Sequence, residues 1–317
     1  MSAHLVEAAP SEQRAGAPRS SLLTAREVKR RRRHAPGRER STVLTLALWV
    51  CAAYFLLPLL WLVISSTKNN GDLFSTFGYG LGRTFELFQN IGNVLTYQGG
   101  EYVHWIVNTA FYAGASAVGA ALLSTAAGYA FAKYDFPGSK ALFSVTLGAI
   151  MIPTTALAIP TYLLFAGVGL TNTPLAVILP SLVSPFGVFL MRVYAADAVP
   201  DGLIEAARID GAGEFRIFWQ VALRLVAPGL VTVFLFSLVA TWNNYFLPLI
   251  MFSNSSLYPV TVGLTLWQSG AAAGGGAQAL FSIVITGSLI SILPLIIAFL
   301  YLQRYWQTGL ATGGVKG

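Results

Sequence analysis

The chain holds 317 residues, of which 55% are hydrophobic and 10% charged, with a mean hydropathy of +0.63 and a net charge of +7. Ordinary soluble domains carry roughly 25% charged residues, so this composition excludes a soluble globular protein and places the chain in a bilayer. One cysteine, Cys51, excludes an intramolecular disulfide, and the three scattered histidines, His4, His34 and His104, form no cluster with metal-ligand spacing.

Residues 1–40 are rich in Ala, Ser, Pro and Arg and are expected to be a disordered basic tail. Its run Lys29-Arg30-Arg31-Arg32-Arg33 resembles a phosphate-binding patch, but with Arg38 and Arg40 it stands directly before an apolar stretch. The reading taken is a topogenic anchor, with no nucleic-acid partner. A cleaved signal is disfavoured because that apolar stretch is too long and has no small-residue cleavage site.

A helix needs about 20 apolar residues to cross a hydrocarbon core of roughly 30 Å. Six stretches qualify: 41–66, 104–132, 141–167, 174–191, 225–252 and 280–303. They predict an all-α polytopic fold over 41–304, followed by a short tail at 305–317. A barrel of alternating strands does not fit such runs. Cys51 lies inside the first stretch and reads as a buried thiol. In the second, Ala113, Ala117 and Ala121 recur every four residues beside Gly114, Gly119 and Gly128, spacing that lets backbones approach, within the bundle or at a subunit interface. Pro153, Pro160, Pro180 and Pro185 interrupt the third and fourth, which either frees backbone groups along a pathway or bends the helices around neighbours. The fifth carries Trp242-Asn243-Asn244-Tyr245. Those amides and Tyr245 suit either a sugar, by hydrogen bonding and ring stacking, or interhelical bonding, and Asn108 with Thr109 in the second stretch invites the same two readings.

No stretch contains a carboxylate, and the sequence has no G-x-x-x-x-G-K-[ST] or H-E-x-x-H motif. A catalytic residue, a metal and a cofactor are therefore not expected, and any energy for transport must come from a partner. Lys and Arg flanking spans stay on the cytoplasmic side. With the amino terminus inside, 18 of the 20 cations are cytoplasmic, and only Lys68 and Arg83 are external. Both termini and the charged island at Asp201 to Pro228 are thus expected in the cytoplasm.

That island reads as two short helices. Asp201 is the expected N-cap of the first, Gly211 and Gly213 end it, and the second runs from Glu214 to Leu223. Spacing alone leaves open a compact docking knob or an amphipathic loop on the headgroups.

The sequence Glu205-Ala206-Ala207, Asp210-Gly211-Ala212, Phe218 and Pro228 is similar to the EAA loop of binding-protein-dependent ABC transporter permeases. Arg224 departs from that pattern, standing where many carbohydrate permeases have a proline. Ala130 to Gly138 is similar to that family's loop after the second span, and Ile159 to Tyr162 with Gly169 to Thr173 to its third-to-fourth connection, while Trp242-Asn243 with Pro248-Leu249 and Gln303 to Gly317 resemble its maltose-type branch. The resemblance implies a type I importer permease in a bacterial cell membrane. It implies a coupling helix-turn-helix at 196–227, with Glu205 and Gly211 mattering most. Implied partners are a homologous second permease, two ATP-binding subunits, an extracytoplasmic solute-binding protein and a carbohydrate, with Asn243, Asn244, Tyr245 and Asn108 as pathway candidates. A permease for a non-sugar solute, an ion-coupled secondary transporter and a non-transporting scaffold are the rival readings.

Overall fold

The computed structural model describes residues 41–272 and 280–313. The predicted tail 1–40 and the last residues of the predicted carboxyl tail, 314–317, lie outside the described residues. The chain divides into two units, 1–56 and 57–317; α1 (Thr42–Ser66) contributes residues to both. Cys51 is exposed rather than buried. A thiol within an apolar span can face lipid as well as protein.

The second unit continues with α2 (Asn70–Ser75), α3 (Leu87–Thr96) and α4 (Glu101–Lys133). Next come α5 (Ser139–Ile150), α6 (Thr154–Gly167), α7 (Leu175–Ser181) and α8 (Pro185–Ala198). Helices α9 (Asp201–Ile209) and α10 (Glu214–Leu225) form the charged island, and α11 (Ala227–Trp242), α12 (Phe246–Met251), α13 (Val260–Ala272) and α14 (Leu280–Gly313) complete the chain. No strand occurs among the described residues.

Four helical stretches are long and apolar enough to cross a membrane: 42–66, 101–133, 175–198 and 280–305. Counting each of two bent pairs as one span raises the number to six. The chain is thus a multi-pass membrane protein. Three expected spans are not continuous helices: 174–191 is broken at 182–184, between α7 and α8. Over 141–167, α5 and α6 meet at 106°, because Pro153 has no N–H to donate and pushes Ile152 out of the helical region. Over 225–252 the helix stops at Trp242 and resumes at Phe246. The 16 residues of α11 reach only ~24 Å, short of a hydrocarbon core.

Helix α4 packs chiefly against α8 and α11. The small residues of its sequence serve that intrachain packing: Ala113, Ala117 and Ala121 are buried, and a Cβ on Gly128 would stand 2.6 Å from Met191 Cβ and 2.7 Å from the Arg192 backbone nitrogen. One buried cluster, containing Tyr129, Met191, Val199, Ile204, Ile217 and Val226, joins the end of α4 to the island. A second gathers Val94, Tyr102, Trp105, Val260, Trp267 and Ile283 near the other end of α4.

Candidate functional site

Pro200, in extended conformation, ends the preceding segment and α9 starts at Asp201. Asp201 does not cap α9, contrary to the sequence expectation. Its carboxylate instead meets Lys133 Nζ at 2.7 Å, and the lysine side chain is almost wholly buried at the end of α4. The pair satisfies an ammonium that would otherwise be stranded at the edge of the core. Ile204 faces inward, 4% exposed, against Val199, Ile217 and Val226.

The turn after α9 is closed by its own backbone. Gly211 N–H donates to Arg208 O and Ala212 N–H to Ala207 O, both at 3.0 Å. Gly211 stands at φ +80°, where a Cβ would be strained. Helix α10 opens with Glu214 and winds as a π-helix over Phe218–Ala222, so that Phe218 packs on Tyr129 with ring centroids 5.4 Å apart. It meets α11 at 80°. The Arg224 departure therefore lies within α10, just ahead of this bend.

Glu214 is the knob's second tie. Its Oε1 meets Arg208 Nε at 2.7 Å, and its Oε2 accepts from the Tyr134 hydroxyl at 2.6 Å. The Arg208 hydrogen bond, then that from Tyr134, holds the carboxyl below the usual carboxylate range. Burial, reinforced by the bond to Glu214, raises the Tyr134 hydroxyl.

The knob thus uses Asp201 and Glu214 to hold itself to α4, whereas Glu205 and Asp210 are exposed and make no ion pair among the described residues. Near Glu205 in the chain, Ile209 is 86% exposed and Phe215 77% exposed. Ala207 and Ala212 pack against the cluster beneath, while Ala206 is open to solvent. An unpaired acid among exposed apolar side chains is the composition of a docking face.

The intramembrane candidates separate. Asn243 is exposed and its amide donates back to Val239 O at 2.9 Å. Asn244 gives its carbonyl to the Thr261 hydroxyl at 2.8 Å, which satisfies backbone freed by the helix break. The Asn244 side chain and the Tyr245 hydroxyl make no hydrogen bond among the described residues. Asn108 donates to Ser256 O at 2.8 Å and Tyr258 O at 3.1 Å, and Thr109 accepts from Val260 N–H at 2.8 Å, so this pair fixes the loop ahead of α13.

Sequence reasoning missed the ties made by Lys133, Tyr134 and Glu214, and a clamp made by Asn172. At φ +58° Asn172 donates its backbone N–H to Met251 O, and its side-chain oxygen accepts from the N–H groups of Ser253 and Asn254. The signal available was residue type, since asparagine tolerates the left-handed region better than most side chains.

Residues 120–308 match the family model described as "Binding-protein-dependent transport system inner membrane component". The chain is 33% identical to the arabinooligosaccharides transport system permease protein AraQ of Halalkalibacterium halodurans, over 87% of this chain and 97% of the relative. It is 29% identical to the lactose transport system permease protein LacG of Rhizobium radiobacter, over 90% and 98% of the two chains. Among solved structures, a chain in the crystal structure of a bacterial ABC transporter involved in the import of the acidic polysaccharide alginate superposes with a TM-score of 0.71. That match covers 83% of this chain and 95% of the other at 23% identity, so it speaks to the fold.

Proposed function

Because the chain belongs to the family of binding-protein-dependent transport system inner membrane components, we propose that this ABC importer permease forms half of a carbohydrate pathway, with α9 and α10 as the coupling element of an ATP-driven machine. The relatives named for arabinooligosaccharides and lactose support a carbohydrate cargo delivered by an external solute-binding protein. ATP hydrolysis belongs to two partner subunits, and a homologous second permease supplies the other half of the pathway. The distribution of Lys and Arg supports an orientation with both termini and the knob in the cytoplasm.

The observation that carries the coupling role is the division of labour among the knob's acids. Asp201 and Glu214 are tied to the body, so a push on the knob reaches the end of α4, while Glu205 stays available one turn before Ile209 on α9, and Phe215 is exposed on α10. A cation in the ATPase cleft pairs with Glu205, and the apolar side chains fill the cleft. In alternating access the cargo site stays fixed while gates on either side move. Asn243, Asn244, Tyr245 and Asn108 are the pathway candidates, with Asn244 and Tyr245 carrying the uncommitted side chains.

The test is ATP-dependent uptake by the complete transporter in vesicles. Glu205→Ala leaves the partner cation unpaired, a loss of about 2–5 kcal/mol in docking, and Gly211→Asp forces a side chain onto the left-handed turn. Either change should abolish uptake while the chain still inserts into the membrane. Wild-type uptake by either variant would overturn the coupling role.

A further inference from the structure

The segment that follows α1 is built inside out. Its buried side chains are polar: Lys68 is 1% exposed, Asp72 4% and Asn90 4%. All three are satisfied within the fold. Lys68 Nζ donates to Thr76 Oγ1 at 3.0 Å and to Phe77 O at 2.9 Å, Asp72 Oδ2 accepts from Arg83 N–H at 2.8 Å, and Asn90 Nδ2 donates to Ser66 O and Lys68 O at 2.9 Å. Its large exposed side chains are mostly apolar: Phe74, Phe77, Tyr79, Leu81, Phe85 and Phe88 range from 42% to 79% exposed, with Ser75, Arg83, Thr84 and Gln89 as exposed polar neighbours. Such a surface is costly in water, but hydrocarbon or the headgroup boundary accepts it once the polar groups are satisfied internally.

Three contacts place the segment at the level of the spans' ends. A Cβ on Gly78 would stand 3.2 Å from Trp61 Nε1, so the loop folds back beside α1 at a residue ~7 Å short of its end at Ser66. Phe74 meets Phe281, in the first turn of α14, edge to face at 5.3 Å. The Asn70 side chain accepts from the Ser282 N–H at 2.9 Å in that same turn. The apolar surface is therefore continuous with the exposed side chains of Leu60, Trp61 and Val63 on α1.

We propose that Phe74, Phe77, Tyr79, Leu81, Phe85 and Phe88 form an interfacial collar that beds in the lipid leaflet at the Ser66 end of α1, with Arg83 at phosphate level. The occupant is lipid because the rings gather beside the ends of two apolar helices, α1 and α14, at the depth where membrane proteins carry them, with a cation among them for the phosphates. The proposal needs only a multi-pass chain, so it stands apart from the coupling role of the knob.

The test uses the complete transporter in nanodiscs of phosphatidylethanolamine and phosphatidylglycerol. In a Cys51→Ser background, single cysteines replace Phe77, Leu81 or Phe85 and carry a nitroxide; a phospholipid labelled on its acyl chain and Asp135→Cys, in the exposed turn between α4 and α5, are the lipid and water references. Collision with dissolved oxygen should exceed collision with a water-soluble nickel chelate several-fold at all three collar sites, as for the labelled lipid and unlike position 135. A nickel-dominated result overturns the collar as an aqueous surface. Protection from both reagents overturns it as well, since a protein partner then covers the patch. Leu81 belongs to no ring pair, so its variant keeps the test available if either phenylalanine variant fails to assemble.

Discussion

Gly128 and Gly114 occupy the same helix with opposite consequences. A methyl group at 128 would press on the backbone of α8, which cannot swing aside as a side chain can, whereas nothing lies within 4 Å of one at 114. Gly128→Ala should lower stability by about 1–3 kcal/mol through overpacking, and Gly114→Ala should raise it by about 0.5–1 kcal/mol through reduced chain freedom. Thermal unfolding of the detergent-solubilised subunit reads both signs. At Glu214 the informative variable is pH. Its carboxyl is depressed in the folded chain by Arg208 and Tyr134, so the tie is complete above the unfolded value of about 4.5 and weakens as pH falls through the lower, folded value. Amide exchange over residues 208–214 should stay slow from neutral pH down to that region and quicken below it. In Glu214→Gln this acid-dependent step should vanish.

Helix existence was legible wherever apolar residues ran on, and helix ends were legible where glycine or proline forced them. The two-helix form of 201–225 followed from Gly211 and Gly213, and Gly211 does take the conformation only glycine adopts readily. The interruption at residues 243–245 was not legible, because apolar counting cannot register that Thr261, far along the chain, takes up the carbonyl the break releases. Asn108 shows the same limit. Its position near the end of a span suggested a ligand, yet its donors are engaged by carbonyls some 150 residues away. Prolines were ambiguous for a related reason: Pro153 precedes a 106° turn, while Pro160 sits within α6 and Pro294 within α14. Neighbouring groups decide whether freed backbone is reabsorbed or redirected.

At the scale of the chain, charge sets the expected sidedness. In a Cys51→Ser background, Phe215→Cys on the knob and Thr84→Cys in the segment after α1 should react with a membrane-impermeant thiol reagent from opposite faces of sealed vesicles, the knob from the cytoplasmic face. Labelling from one common face would overturn the cation-based orientation. Between those faces runs α4, 33 residues without proline. Near one end Trp105 lies against Trp267, and near the other Tyr129 lies against Phe218. These anchors are ~36 Å apart along one uninterrupted screw. Adding or deleting a single residue between them would turn one anchor by ~100° relative to the other and unseat it. The helix thus behaves as a keyed shaft: descendants of this gene can lengthen or trim its loops, but the stretch between Trp105 and Tyr129 is fixed in length.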